Sequence, residues 1–239
     1  MCANKIMVIS DLHYGYRIRK GVDESLAWNW LLGIVRRHKP AALLSCGDWG
    51  EAVSILEFDE LLEETEVYTI YGNHEDLSVL RTLRNRSGRA VLLEDCEVIE
   101  ICGARIAGIN GIIAPAGGLK RGVPRKSPES FIKAAQCLRG LSVDILLVHE
   151  VIPLPEYRGK MVFREYLYTV LEAVEIASPK LVINGHLHAD EPFTFSRIGN
   201  SKYLRIDSSQ ACKHYALVDW ENAVIEVWAD TRKVWVASL

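Results

Sequence analysis

No two of the six cysteines (Cys2, Cys46, Cys96, Cys102, Cys137, Cys212) form a C-x-x-C pair, so neither a zinc knuckle nor a dithiol redox motif is written in this chain. Scattered as they are, they read as buried reduced thiols. A chain of 239 residues buries roughly 70% or more of its unfolded surface, so no disulfide is required to hold its core. No stretch approaches the length of a membrane span, and Met1 to Ser10 lacks the apolar run and cleavage site of a secretory signal. The expectation is therefore a cytoplasmic protein without a membrane partner. A basic surplus is missing too: the formal charge is -3, which disfavours a dedicated nucleic-acid binder while leaving room for a local basic patch. There is no internal repeat, low-complexity segment or convincing linker, so residues 1–239 are expected to form a single domain.

What is present is an ordinary globular composition, 49% hydrophobic and 25% charged. Short β-branched runs alternate with amphipathic stretches. Strands are predicted at Lys5–Ser10, Ala42–Cys46, Val67–Tyr71, Arg105–Ile109, Ile145–Val148 and Leu181–Ile183. Helices are predicted at Ser25–His38, Ile55–Glu64, Ser78–Arg84, Pro128–Arg139 and Phe163–Ala177. Ser127-Pro128 supplies an N-cap with proline at the first helical position. After Pro192 the pattern changes to strands with turns at Gly199-Asn200 and Glu221-Asn222, which reads as antiparallel sheet. The fold class is thus α/β, with βαβ units in the N-terminal part and antiparallel strands in the C-terminal part. Ala116–Gly122 reads as a glycine-rich loop over a site.

The histidines and acids cluster just after predicted strands, each beside a small residue. Strand ends of an open α/β sheet converge on one crevice, so residues far apart in sequence meet there. Asp11 and His13 follow the first strand, and residues two apart on an extended chain project to one side. His186 and His188 repeat that spacing after Gly185, which lets backbone approach closely. Asp48 follows the second strand, Asn73-His74-Glu75 the third, and His149 ends Ile145–Val148. Taken singly, an Asp after a strand is a helix cap and a lone His an ordinary hydrogen-bonded residue. Jointly, at successive strand ends, they spell a metal-binding set.

These motifs, D-x-H, G-D-x-x-E, G-N-H-E, a later strand-terminal His and G-H-x-H, resemble in order those of the calcineurin-like metallophosphoesterase family. From Asp11 to His188 the resemblance spans about three quarters of the chain. It implies a two-sheet β-sandwich flanked by helices, with Asp11, His13 and His188 on one ion, Asn73, His149 and His186 on the other, and Asp48 bridging. The donor set independently suits two divalent ions of the Mn, Fe, Zn, Ni or Co kind, and a shared carboxylate holds such a pair about 3.5–4 Å apart. Two divalent cations outweigh the carboxylates of Asp11 and Asp48 and a bridging hydroxide by one unit, so the site attracts phosphate.

The expected chemistry is in-line attack of that hydroxide on a phosphodiester or phosphomonoester, a nucleotide being one candidate substrate. His74 diverges from Asn73 and is the candidate to protonate the leaving oxygen, a role the resemblance also implies. Glu51 and Glu75 are expected to orient ligand histidines or to lie in solvent. Lys120, Arg121, Arg125 and Lys126 could hold substrate phosphates or a nucleic-acid backbone, or be a solvated loop. Tyr14, Tyr16, Arg17 and Arg19 are expected near the mouth of the site. Asp207-Ser208-Ser209-Gln210 departs from the Asn-Pro-Gly-Ser-type turn of many small relatives, a departure expected to leave the metal ligands untouched while denying any subfamily assignment. Two alternatives remain: a small nuclease, and a non-catalytic scaffold of the same fold. The scaffold in the family lacks several ligands and the catalytic His, whereas here all of them are filled.

Overall fold

The structure is a computed structural model describing residues 3–19, 21–157 and 164–239. Its two main sheets use twelve strands: β1 (Ala3–Ile9), β2 (Pro40–Ser45), β3 (Glu66–Thr69), β4 (Val98–Ile101), β5 (Ala104–Ile109), β6 (Ile145–Val148), β7 (Leu181–Asn184), β8 (Phe193–Ile198), β9 (Ser201–Ile206), β10 (His214–Asp219), β11 (Val224–Ala229) and β12 (Arg232–Ser238). The helices are α1 (Ala27–His38), α2 (Ile55–Glu64), α3 (Leu77–Leu80), α4 (Pro128–Gln136) and α5 (Tyr168–Ala177). The first sheet has the order β12-β11-β10-β1-β2-β3 and the second β8-β9-β7-β6-β5-β4.

Alternation along the strands decides the layers. Ile6, Val8, Ala42 and Leu44 of the first sheet share one buried cluster with Ile106, Ile145, Leu147 and Ile183 of the second. Their outward neighbours Met7, Ile9 and Leu43 pack under Leu31 and Val35 of α1 and Phe58 of α2. Leu146, Val148 and Val182 pack under Phe131 of α4 and Val170 of α5. Strands buried on both faces read as unbroken apolar runs, which is how helix-covered sheets present themselves in sequence. The result is a sandwich with helices on both outer faces, as the resemblance implied.

Local signals set the helix ends. Ser54 and Glu57 form a reciprocal capping box at α2, and Ser127 caps α4 ahead of Pro128. Helix α1 stops at Lys39, which takes a left-handed conformation before Pro40. The helix predicted from Phe163 begins as a 3-10 turn at Glu165–Leu167 and continues as α5; Phe163 itself lies outside the described residues. The helix predicted at Ser78–Arg84 is a single turn, Leu77–Leu80, capped by Asp76.

Three expectations need correction. The last third is not one antiparallel sheet: β8 and β9 join the second sheet, where β9 runs parallel to β7, while β10 to β12 join the first. Hairpin pairing is local and legible, whereas the choice of sheet is made by long-range packing. Ala116–Gly122 is not a plain loop, because Gly118–Lys120 pairs with Val123–Lys126 as a hairpin. Finally, Cys96 and Cys137 are not reduced thiols but a disulfide, with Cα atoms 5.4 Å apart, tying the turn before β4 to the end of α4. Cys46 is a free, buried thiol and Cys102 and Cys212 are free and half-buried, whereas Cys2 lies outside the described residues. Among the described residues no helix is long and apolar enough to cross a membrane.

The bridge spans 41 residues of sequence, so it restricts the unfolded chain considerably. Replacing both Cys96 and Cys137 by Ser, or reducing the bridge, is expected to lower unfolding free energy by roughly 2–4 kcal/mol, read as a shift of the urea midpoint with and without reductant.

Candidate metal centre

Strands β1, β2 and β3 are parallel neighbours, as are β6 and β7, so their C-terminal ends lie on common edges. The loops leaving β1 and β2 stay paired beyond the strands: Asp11 N–H donates to Gly47 O, His13 N–H to Asp48 O and Tyr14 N–H to Trp49 O at 2.8–3.0 Å. The turns are tight enough that Asp11, His13, Asp48 and His186 all adopt positive φ, between 51° and 64°. Each left-handed non-glycine residue costs on the order of 1–2 kcal/mol. Strain of this kind persists where the surrounding structure dictates it, and here it falls on four of the residues singled out from sequence.

Those residues come together in two groups. Ligand atoms of Asp11, His13 and His188 lie within 4.8 Å of one another, as do those of Asp48, His149 and His186. His13 Nε2 is 3.1 Å from His188 Nε2 and 3.8 Å from Asp11 Oδ1. Asp48 faces both groups, its Oδ2 3.7 Å from His13 Nε2 and its Oδ1 3.4 Å from His149 Nε2. The backbone N–H of Asn73 donates to Asp48 Oδ1 at 2.6 Å, which sets Asn73 beside the second group. Close approach depends on glycine: a side chain at Gly72 would run into Asp48 Oδ1 and come within 2.6 Å of His149 Nε2, and one at Gly185 would overlap Ser10 and Asp11.

Two buried polar atoms at this place have no hydrogen-bond partner among the described residues, Asn73 Oδ1 and His149 Nε2. A buried polar atom left without a hydrogen bond costs about 1–3 kcal/mol, so each of the two is a donor that a cation would satisfy. The donor set therefore fits a metal pair. The remaining ring atoms are already committed, since His149 Nδ1 faces Cys46 O at 2.7 Å and His188 Nδ1 faces Asp207 Oδ2 at 2.8 Å. Such partners fix the tautomer and leave Nε2 for a ligand.

The electrostatics tell the same story. Burial opposes charge on Asp48, yet His149, His13 and His186 override it and hold the carboxyl far below its ordinary range. Burial likewise opposes charge on His149, but Asp48 prevails and pushes the imidazole up to about 10. Burial, helped by His149, pushes His186 down to about 3. Burial raises the Asp11 carboxyl despite His149, so Asp48 is the carboxylate that draws positive charge into the pocket.

Neighbouring side chains hold the cage. Glu75, buried and pushed up to about 8 by burial and by Asp48, accepts from the N–H groups of Asp48, Trp49 and Gly72. It orients loop backbone, not a histidine. Glu51 is half exposed, its Oε1 3.5 Å from His74 Nδ1 and 3.7 Å from Arg121 Nη1. Asp207, in the turn that departs from the family pattern, was not singled out from sequence, yet its Oδ2 lies 2.8 Å from Nδ1 of the candidate ligand His188. Its signal was available: it follows β9 as Asp11 follows β1. Arg205, fully buried on β9, donates to Leu187 O, Glu191 O and Thr194 Oγ1 and supports the loop carrying His188.

His74 and His13 open onto a cleft of about 690 Å³ lined also by Tyr16, Arg17, Arg19 and Arg121. Of the residues expected at the mouth, Tyr14 also lines the cleft, though it is mostly buried, with its ring against Trp28. Lys126 is tied to Asp95 at 2.6 Å, and of the basic run only Arg121 reaches the cleft.

Among solved structures the chain resembles TT1561 of Thermus thermophilus, with TM-score 0.67 and 16% identity over 95% of this chain and 98% of that one. It also resembles GAP50, the anchor in the inner membrane complex of Plasmodium, with TM-score 0.59 and 13% identity over 100% and 89%. A 5'-nucleotidase precursor from Thermus thermophilus aligns with TM-score 0.51 and 14% identity over 98% of this chain and 53% of its own. At these identities the likeness is one of fold. No curated protein matches. The family description Calcineurin-like phosphoesterase matches residues 4–190, most of the chain and every motif from Asp11 to His188, and the chain belongs to the calcineurin-like phosphoesterase family.

Proposed function

We propose that the chain hydrolyses phosphate esters, diesters or monoesters, with two divalent metal ions. Asp11, His13 and His188 would hold one, Asn73, His149 and His186 the other, and Asp48 both. The observation that carries this reading is a carboxylate, Asp48, that faces both groups, together with two buried atoms, Asn73 Oδ1 and His149 Nε2, that find no hydrogen bond. Imidazole, carboxylate and amide oxygen donors suit Mn, Fe, Zn, Ni or Co. When bound, the ions supply a water acidic enough to serve as nucleophile near neutral pH and positive charge to match the phosphate.

The chain's own residues do the rest. His74, with its side chain 34% exposed at the floor of the cleft, donates a proton to the ester oxygen as the bond from phosphorus to that oxygen breaks and its electron pair leaves with the alcohol. Glu51 keeps the ring of His74 turned toward the cleft. Asp207 holds His188, and Glu75 holds the turn from which Asp48 projects.

Metal analysis and hydrolysis of bis(p-nitrophenyl) phosphate and p-nitrophenyl phosphate test the reading. His74→Ala is expected to keep its metals and lose roughly 10²–10⁴ in kcat. Asp48→Ala is expected to lose metal and turnover together, and intact occupancy in that variant would contradict its shared role. Asp207→Ala should weaken metal affinity roughly 10–100-fold, measured by titration with a competing chelator. A metal-replete sample inert on every ester would favour a scaffold instead.

A further inference from the structure

The cleft above His13 and His74 has a lining that hydrolysis of a simple ester does not require. A second cleft of about 710 Å³ shares Arg17 and Arg121 with the first and runs on to Arg81. The two clefts have Arg17, Glu51 and Arg121 in common, so they adjoin, and a substrate extending from one into the other would pass these side chains. The arginines along this trough are available. Arg17, Arg19 and Arg81 are exposed, and their guanidinium groups make no hydrogen bond or ion pair with any described residue. Arg121 meets only Glu51, at 3.7 Å with both groups exposed, a contact worth little.

The acids on the same walls are mostly committed. Asp76 caps α3 through Ser78 and Val79, and Glu75 is buried against backbone N–H groups. Glu51 is divided between His74 and Arg121, which leaves Glu24. Beside Arg17 stand Tyr16 and Ile18, 75% and 76% exposed. Arg19 and Arg121 lie on or at the turn of two short hairpins, Ile18–Arg19 with Val22–Asp23 and Gly118–Lys120 with Val123–Lys126.

We propose that Arg17 and Arg121 bind a second phosphate of the substrate, beyond the one being cleaved, and that Tyr16 presents its ring to the attached base. The substrate class is then a phosphodiester carrying at least one further phosphate and a nucleobase, the chemistry shared by short single-stranded oligonucleotides and dinucleoside polyphosphates. A positive groove interleaved with an aromatic face is how proteins hold such strands without reading sequence. With the chain at -3 overall, the attraction comes from these side chains and not from the net charge. This specificity rests on the phosphoesterase reading above.

The test uses the metal-loaded protein with two readouts. The first is the ratio of kcat/KM on hexathymidylate, or on diadenosine tetraphosphate, to kcat/KM on bis(p-nitrophenyl) phosphate, which has no second phosphate. Arg17→Gln and Arg121→Gln are each expected to lower that ratio about ten-fold or more, mainly through KM, and Arg139→Gln, outside the trough, serves as the charge control. A fall with only one of the two phosphate-bearing substrates identifies which source the trough serves. The second readout is anisotropy of fluorescein-labelled hexathymidylate on metal-loaded His74→Ala, where the slope of log Kd against log salt should fall by about 0.7 for each phosphate contact removed. Tyr16→Ala should weaken this oligonucleotide several-fold and leave inhibition by inorganic tripolyphosphate in place. An unchanged ratio and an unchanged salt slope in the variant combining Arg17→Gln with Arg121→Gln overturn the proposal while the phosphoesterase reading stands. If the wild type is inert on every ester, that earlier reading fails, and the salt slope alone decides whether the trough binds phosphate.

Discussion

Two buried carboxylates within a few ångströms of four imidazoles govern this molecule. Asp11 is 2% and Asp48 1% exposed, and carboxylates so placed are tolerated only with compensating positive charge. The compensation is gathered from distant segments. His13 and His188 meet at 3.1 Å although 175 residues separate them, and His149 reaches across from the second sheet to face Asp48. Everything nearby serves that convergence: the left-handed turns, the glycines that permit contact, and the hydrogen bonds that hold the rings of His149 and His188 by their far nitrogens.

The architecture follows from the same demand. A single parallel sheet offers one row of strand ends, whereas two sheets facing each other offer two rows that meet over a shared edge. The apolar cluster between them, with Val8 and Leu44 against Leu147 and Ile183, fixes their separation, so the candidate ligands contributed by each sheet arrive at a fixed spacing. Preorganisation of this kind is what a metal pair requires, because a misplaced donor loses both affinity and reactivity.

Much of this was legible in the sequence, because the relevant signals are local. Apolar runs at Ile145–Val148 and Leu181–Ile183, the 3.6-residue spacing of Leu31, Ile34 and Val35, and acids or histidines one to three residues past a strand each announce themselves within a short window. The rest depended on partners distant in sequence. Nothing near Cys96 or Cys137 reveals that they face each other at 5.4 Å, and nothing in Ser201–Ile206 says that it runs parallel to Leu181–Asn184 instead of merely continuing a hairpin. The short, half-exposed hairpins lack a buried face and hence a strong alternation. Asp207 obeyed the strand-end rule but was read as part of a turn that differs from the family's.

Arg205 shows how the back of the centre is organised. Its guanidinium, sealed from solvent, clasps the carbonyls of Leu187 and Glu191 and the hydroxyl of Thr194. The segment bearing His188 is thereby stitched to two outer strands of the second sheet, so its half-exposed imidazole is held through this backbone as well as through Asp207. Flexing of that sheet's rim would therefore be transmitted to the cage as a rigid displacement instead of being absorbed by a slack loop.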